Sequence, residues 1–169
     1  MDSDLCPAAA PADPDSALSA SLIDSMVVPA FVIGADQRVL IWNHACEILT
    51  GVHAEEVVGT GEHWRAFYEE QRPCLADLVA LDRADDALSL YSQHSVRGST
   101  KTGVSAENWC VMPRVGRRHY LGIDAKPIFN REGRLIAVME TLRDMTEQRL
   151  AEDLRDAQAH IMEMITFSA

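Results

Sequence analysis

The hydrophobic pattern of the chain predicts strands with short helices between them, followed by one long amphipathic helix. From Ala30, the segment AFVIGADQRVLIWN contains two apolar, β-branched runs separated by the turn residues Gly34 to Gln37, which predicts a β-hairpin. Asn43 then precedes HACEILTG, a short helical run that ends at Gly51. Asn43 is therefore expected to cap this helix at its start, and Gly51 to close it in a left-handed conformation.

The second half of the pattern predicts three further strands. Residues 60–95 lack strand alternation and predict helical segments interrupted at Pro73, followed by a polar, glycine-bearing loop. Alternating apolar segments then occupy Glu107–Arg114, Arg118–Ile128 and Leu135–Arg143, with turn residues between them. The order strand, strand, helices, strand, strand, strand predicts an α+β fold, a five-stranded antiparallel sheet with helices on one face.

After Asp144 the chain contains no glycine or proline, and its apolar residues recur at steps of four and three. This heptad spacing predicts a C-terminal amphipathic helix that pairs with a second copy. The alternative is a helix folded back on its own domain. The pattern has no C-cap signal, so we expect the helix to continue into a longer protein. The predicted dimer residues are Leu150, Leu154, Ala157, Ile161 and Met164.

The beginning of the chain differs in composition from the rest. Residues 1–20 contain three prolines, many alanines, four aspartates and no basic residue. Such a segment buries too little apolar surface to offset the entropy of ordering, so we expect a flexible lead-in. The predicted division is a lead-in over 1–20, a folded domain over 21–144 and a linker helix over 145–169.

Composition excludes several classes of protein. The 169 residues include 26 acidic and 15 basic side chains, a net charge of -11, which argues against nucleic-acid binding. No apolar run is long enough to span a bilayer, and the N-terminus lacks the features of a signal peptide. The scattered cysteines argue against a zinc site and favour reduced thiols in the cytoplasm. These cysteines are Cys6, Cys46, Cys74 and Cys110.

Three segments resemble the PAS domain family. ADQRVLIWNHACEILTG resembles its opening, and HYLGIDAKPIFNREGRLIAVMETLRDMTEQR resembles its last two strands and the following D-M-T-E junction. HWRAFYEEQRPCLADLV resembles a subgroup found in bacterial sensor histidine kinases and diguanylate cyclases. The resemblance covers residues 22–149. It implies a sensory module that binds a small ligand, dimerises, and passes its state to a C-terminal kinase or diguanylate cyclase.

The junction after the last strand has a physical interpretation. Asp144 and Thr146 can cap the outgoing helix, and Glu147 lies where the capping-box partner of Asp144 is expected. In PAS relatives such a joint is thought to convert distortion of the sheet into movement of the helix. An ordinary helix start is the alternative interpretation of these residues.

Strand alternation, together with the resemblance, also predicts a ligand pocket between the sheet and its helices. Glu140 lies on the face of the last strand that the resemblance turns inward. A carboxylate there must be paired, hydrogen-bonded or neutralised, so Glu140 either bonds to a helix backbone or contacts a ligand. The predicted lining residues are Trp64, Trp109, Leu121, Ile123, Val138, Glu140 and Leu142.

The sequence leaves the cofactor unknown. The Asn-Cys-Arg motif of flavin-binding PAS proteins is absent, which argues against flavin. His63 and His94 lie in the region that supplies the haem ligand in haem-binding relatives, although a surface or capping role is the alternative. Catalytic motifs are also absent, and a couple of Cys74 and His63 lacks an orienting third group, so we expect no enzyme. Three hypotheses remain: a ligand-binding sensor, a ligand-free dimerisation or spacer module, and a haem-based gas or redox sensor.

Overall fold

The structure, a computed structural model, describes residue 18, residues 21–91 and residues 96–167. Nearly all of the predicted lead-in, 1–20, lies outside these residues. Within the described chain the sheet has six strands in the order β2-β1-β6-β5-β4-β3, with neighbouring strands antiparallel. Their bounds are β1 Ala30–Gly34, β2 Val39–Trp42, β3 Arg97–Ser99, β4 Gly103–Cys110, β5 His119–Phe129 and β6 Leu135–Asp144.

The helices follow the predicted order. Among the described residues between β2 and β3 are four short helices: α1 His44–Thr50, α2 Ala54–Val57, α3 Leu75–Ala80 and α4 Ala87–Leu90. Two 3-10 turns, His63–Ala66 and Ala84–Asp86, lie among them, and α5 Thr146–Phe167 follows the last strand. Apolar residues of these short helices pack against one face of the sheet and form the core with it. This arrangement confirms the predicted α+β class. None of the described helices is long and apolar enough to cross a membrane.

The additional strand is β3, in a segment that the sequence predicted to be a loop. It pairs with the start of β4, so β4 begins at Gly103 and not at the predicted Glu107. Gly98 and Gly103 have φ of 101° and 110°, and a Cβ on Gly98 would lie 2.1 Å from the Gly103 carbonyl oxygen. The hairpin therefore requires glycines, which sequence patterns assign to loops.

Asn43 is a fully buried polar residue that joins three parts of the fold. Its Oδ1 accepts hydrogen bonds from the amides of Ala30, at 2.9 Å, and Cys46, at 3.0 Å. Its Nδ2 donates to the carbonyl oxygens of Ile23, at 3.1 Å, and Val28, at 2.9 Å. The predicted N-cap of α1 is confirmed, and the same side chain also fixes the start of β1 and the segment that precedes it.

Substitution of Asn43 by alanine tests this connection. Asn43→Ala removes the cap and leaves buried backbone groups without partners, so the free energy of unfolding should fall by about 2–4 kcal/mol in urea denaturation. Asn130→Ala is the matched control, because Asn130 Oδ1 also accepts two backbone amides but in an exposed turn. It should cost less than about 1 kcal/mol. If both variants lose the same free energy of unfolding, Asn43 contributes no more than an exposed turn residue, which would contradict its role in joining three parts of the fold.

Candidate functional site

Glu140 is a buried acid in the middle of the sheet, with only 2% of its surface exposed. The predicted inward face of β6 is confirmed for its neighbours, since Val138 and Leu142 are also buried, whereas Ile136 is exposed at the strand end. Glu140 Oε2 accepts a hydrogen bond from the Ala76 amide at 2.6 Å. Of the two predicted roles, the structure therefore shows the bond to a helix backbone.

The environment of Glu140 favours its neutral form. Burial raises the pKa of this carboxyl to about 8, because the surrounding core cannot solvate a negative charge. The hydrogen bond from Ala76 acts in the opposite direction, and the nearby charge of Asp77 raises the pKa further. At neutral pH the carboxyl is consequently mostly protonated.

A second buried polar cluster lies beside α3. His63 Nε2 is 3.0 Å from Asp77 Oδ2, and the same oxygen accepts the backbone amide of Cys74 at 2.8 Å. Cys74 is the N-cap of α3, so this contact also fixes the start of the helix. The His63 ring packs on Phe31, with ring centroids 5.5 Å apart. The fold thus gives His63 the acidic partner that was not evident from the sequence.

These contacts bear on two of the candidate chemistries. Burial raises the pKa of the Cys74 thiol well above its usual value, and the nearby acidic groups Glu140 and Asp77 act in the same direction. Such a thiol is protonated and unreactive, which does not favour nucleophilic catalysis. His63 is packed on Phe31 within the core, and a large haem ring would have to displace this contact, which does not favour haem ligation. His94, the other candidate haem ligand, lies outside the described residues.

The structure brings most of the predicted pocket residues together. The four apolar strand residues lie in one core cluster, on the same side of the sheet as Glu140. Trp64 is partly buried and packs against this cluster from the first 3-10 turn. The predicted pocket residues that lie close together around Glu140 are therefore Trp64, Leu121, Ile123, Val138 and Leu142.

Trp109 lies apart from the other predicted pocket residues. Its neighbour Cys110 points into the core, so strand alternation turns Trp109 to the opposite face. There its ring contacts Tyr120, with centroids 5.2 Å apart, and the Arg118 guanidinium lies 5.1 Å from the ring centroid. Ala106 and Cys110, which point inward, have the opposite parity to Trp109 along β4. Strand alternation was therefore the sequence signal that could have placed Trp109 outside the core.

Sequence reasoning missed one cationic residue at the edge of the core. The Arg72 guanidinium carbon lies 4.1 Å from the ring centroid of Tyr68 and 5.1 Å from that of Tyr91. Its Nη2 donates to the Leu90 carbonyl at 2.8 Å. Burial raises the pKa of both tyrosines well above the usual value, so their hydroxyls stay neutral. Arg72 therefore joins the two tyrosines to α4 by cation-π contacts and a hydrogen bond.

The junction between β6 and α5 is connected to β5 by one backbone hydrogen bond and one bond to a side-chain hydroxyl. The Met145 amide donates to the Tyr120 carbonyl at 2.8 Å, and the Tyr120 amide donates to Thr146 Oγ1 at 2.9 Å. Asp144 Oδ1 accepts the Thr146 amide at 2.9 Å, while its Oδ2 lies 2.8 Å from His119 Nδ1. The first turn of α5 is thus attached to two neighbouring strands.

The roles of the junction acids differ from each other. Although partial burial opposes its ionisation, hydrogen bonds from Thr146 and His119 hold the pKa of Asp144 below its usual value. Glu147 is exposed and makes no capping bond among the described residues. The start of α5 therefore depends on Asp144 and Thr146, without the capping box expected at Glu147.

The apolar heptad face of α5 is exposed. Leu150, Leu154 and Ile161 have 55%, 60% and 52% of their surface accessible, and Met164 and Ala157 are also exposed. All side chains over 150–165 are exposed, so this part of the helix does not fold back on its own domain.

The sheet order, the helices inserted after the first hairpin and the helix that continues the last strand together define the arrangement of this α+β fold. The family model described as the PAS fold matches residues 18–145, and the chain belongs to the PAS family. PAS domains are signal-sensing modules of sensor proteins, generally non-catalytic and commonly dimeric.

Solved structures show the same fold at low sequence identity. The PAS domain of BvgS from Bordetella pertussis aligns at 18% identity with a TM-score of 0.50, over 86% of this chain and 98% of that one. A PAS domain from Colwellia psychrerythraea aligns at 15% identity with a TM-score of 0.53, over 78% and 97%. An RNA-binding light-oxygen-voltage receptor aligns at 18% identity with a TM-score of 0.61, over 95% of this chain but 42% of that one. No curated protein matches the chain.

The raised pKa of Glu140 predicts a pH-dependent stability. Between its ordinary value of 4.5 and about 8, the folded protein binds more protons at this site than the unfolded chain does. The free energy of unfolding should therefore fall as pH rises, by at most ~1.4 kcal/mol per pH unit from this site. Glu140→Gln, which stays neutral, should remove this contribution when the two proteins are compared by urea denaturation across the interval.

The exposed Glu55→Gln change on α2 is the matched control and should reproduce the wild-type pH dependence. Parallel profiles for Glu140→Gln and wild type would contradict a raised pKa at Glu140.

Proposed function

We propose that this chain is a sensory PAS module that dimerises through α5 and transmits the state of its core, through the β6–α5 junction, to an effector that follows it. The observation that carries the proposal is the exposed apolar heptad face immediately after a hydrogen-bonded junction. The proposed division is a sensory domain over 21–144 and a linker helix over 145–169.

The exposed face of α5 supports dimerisation. Its apolar residues lie at the a and d positions of a parallel coiled coil, where pairing would remove them from water. Because the face spans fewer than three heptads, the helix alone would pair weakly, so we expect a dimer that dissociates on dilution.

The position of Glu140 supports transmission from the core. Glu140 and Asp144 lie on the same face of β6, one bonded to α3 and the other at the start of α5. A change in the protonation or hydrogen bonding of Glu140 acts on the strand that ends at the junction. The apolar core residues around Glu140 are where we propose that a small ligand binds. By resemblance, the proposed effector is a kinase or a diguanylate cyclase.

The dimer is tested by placing a charge in the apolar face. Leu154→Asp or Ile161→Asp should shift the sedimentation-equilibrium mass from dimer towards monomer, because the charge would be buried in the seam. Ala159→Asp, on the opposite face of the same helix, is the matched control and should leave the dimer intact. A wild-type chain that is monomeric at high concentration would contradict the proposal.

The junction is tested by removing one hydroxyl. Thr146→Val eliminates the acceptor for the Tyr120 amide and the contact with Asp144 while keeping the side-chain shape. Amide hydrogen exchange in the first turn of α5 should accelerate by roughly tenfold, equivalent to the loss of about one hydrogen bond. Thr146→Ser retains the hydroxyl and should exchange like wild type. Slow exchange in Thr146→Val would show that the junction does not depend on this bond.

A further inference from the structure

Three chemically different metal-ligand side chains meet beside α3. His63 offers a ring nitrogen, Cys74 a sulfur and Asp77 a carboxylate oxygen, and these atoms all lie within 4.8 Å of one another. His63, Cys74 and Asp77 are 1%, 1% and 6% exposed. This combination of nitrogen, sulfur and oxygen donors suits Zn²⁺ and related divalent transition metals.

The spacing of the cluster is close to that of a metal site. Zinc binds sulfur at about 2.3 Å and nitrogen or oxygen at about 2.0–2.2 Å, so ligand atoms around a tetrahedral ion lie roughly 3.2–3.8 Å apart. The distance between His63 Nε2 and Asp77 Oδ2 is 3.0 Å, and the other separations exceed this range by about 1 Å at most. Bringing the three donors onto one ion therefore requires shifts of about 1 Å and the opening of the His63–Asp77 hydrogen bond.

The two ring nitrogens of His63 differ in their surroundings. His63 Nδ1 is buried and, among the described residues, has no hydrogen-bond partner. A hydrogen bond to Asp77 satisfies Nε2 but leaves this second ring nitrogen unsatisfied, which is uncommon in a folded interior. The contact with Asp77 thus accounts for one of the two ring nitrogens, and an ion bound at Nε2 would leave Nδ1 as it is.

The backbone holds the donors in place. His63 begins a 3-10 turn, whereas Cys74 and Asp77 are the N-cap and third residue of α3, joined by the hydrogen bond from the Cys74 amide to Asp77. The sequence did not indicate this set because the cysteine has no second cysteine near it, and the histidine lies eleven positions away. Folding supplies the proximity.

We propose that His63, Cys74 and Asp77 form a binding site for one divalent transition-metal ion of the Zn²⁺ class. The positive charge of the ion favours the thiolate, so a metal–sulfur bond replaces the S–H bond of Cys74 and that proton leaves to solvent. A metal–nitrogen bond replaces the hydrogen bond between His63 and Asp77, and the ring proton moves to Nδ1. No residue changes oxidation state. Three protein donors leave a fourth position for water or another ligand. The ion links the 3-10 turn that contains His63 to the start of α3. The proposal of this site does not depend on the proposed signalling function.

Cobalt provides a spectroscopic test of the site. The full chain carrying Cys6→Ser, which removes the thiol outside the described residues, is freed of metal and titrated with Co²⁺. We expect saturation at one ion per chain, with thiolate-to-cobalt charge-transfer absorption and the visible bands of a four-coordinate ion, both removed by Zn²⁺. An absent charge-transfer band at excess Co²⁺ would overturn the proposal.

Cysteine variants identify the sulfur donor. Adding Cys74→Ser should abolish the charge-transfer band, whereas Cys46→Ser and Cys110→Ser, which change other buried thiols, should retain it. A band that survives in Cys74→Ser would exclude this cysteine as the ligand. X-ray absorption of the zinc-loaded chain needs no variant in the cluster and is therefore independent of whether Cys74→Ser folds. We expect the first coordination shell of the zinc to contain one sulfur together with nitrogen and oxygen atoms. A coordination shell without sulfur would overturn the proposal.

Discussion

The hydrogen bond from the Ala76 amide to Glu140 joins the sheet to the helical layer through a fully buried polar contact. Helix α3 has six residues, too few to be stable without tertiary contacts. Its position on β5 and β6 therefore depends on this bond and on the apolar contacts around it. The placement of Cys74 and Asp77 near His63 depends in turn on α3. A single strand residue thus organises the interior on which both the proposed sensing and the proposed metal site rest.

Local sequence signals predicted the parts of the fold that depend on local chemistry. The first hairpin, the Asn43 cap and the inward face of β6 follow from turn residues, capping and alternation, and all three are confirmed. The strand β3 was missed because its pairing requires Gly98 and Gly103, which carry no strand signal of their own. The β4 start was misplaced for the same reason.

The candidate site was less predictable because it depends on contacts between distant segments. Alternation identified Glu140 as a buried acid, but only the fold shows that its partner is an amide of α3. The contact between His63 and Asp77 joins residues fourteen positions apart in different elements, which no periodicity encodes. Trp109 was predicted to line the pocket because it is aromatic, without regard to its position in the strand alternation. That alternation places it on the face of the sheet opposite the core, where it contacts Tyr120.

The sheet order limits how β6 can move relative to α5. β6 is a central strand, hydrogen-bonded to β1 on one side and to β5 on the other. Sliding it by one residue would break both ladders and turn Glu140 out of the core. A change in sheet twist, in contrast, keeps β6 paired with both neighbouring strands. Because the first turn of α5 is bonded to both β5 and β6, a change in twist would alter the angle at which α5 leaves the sheet.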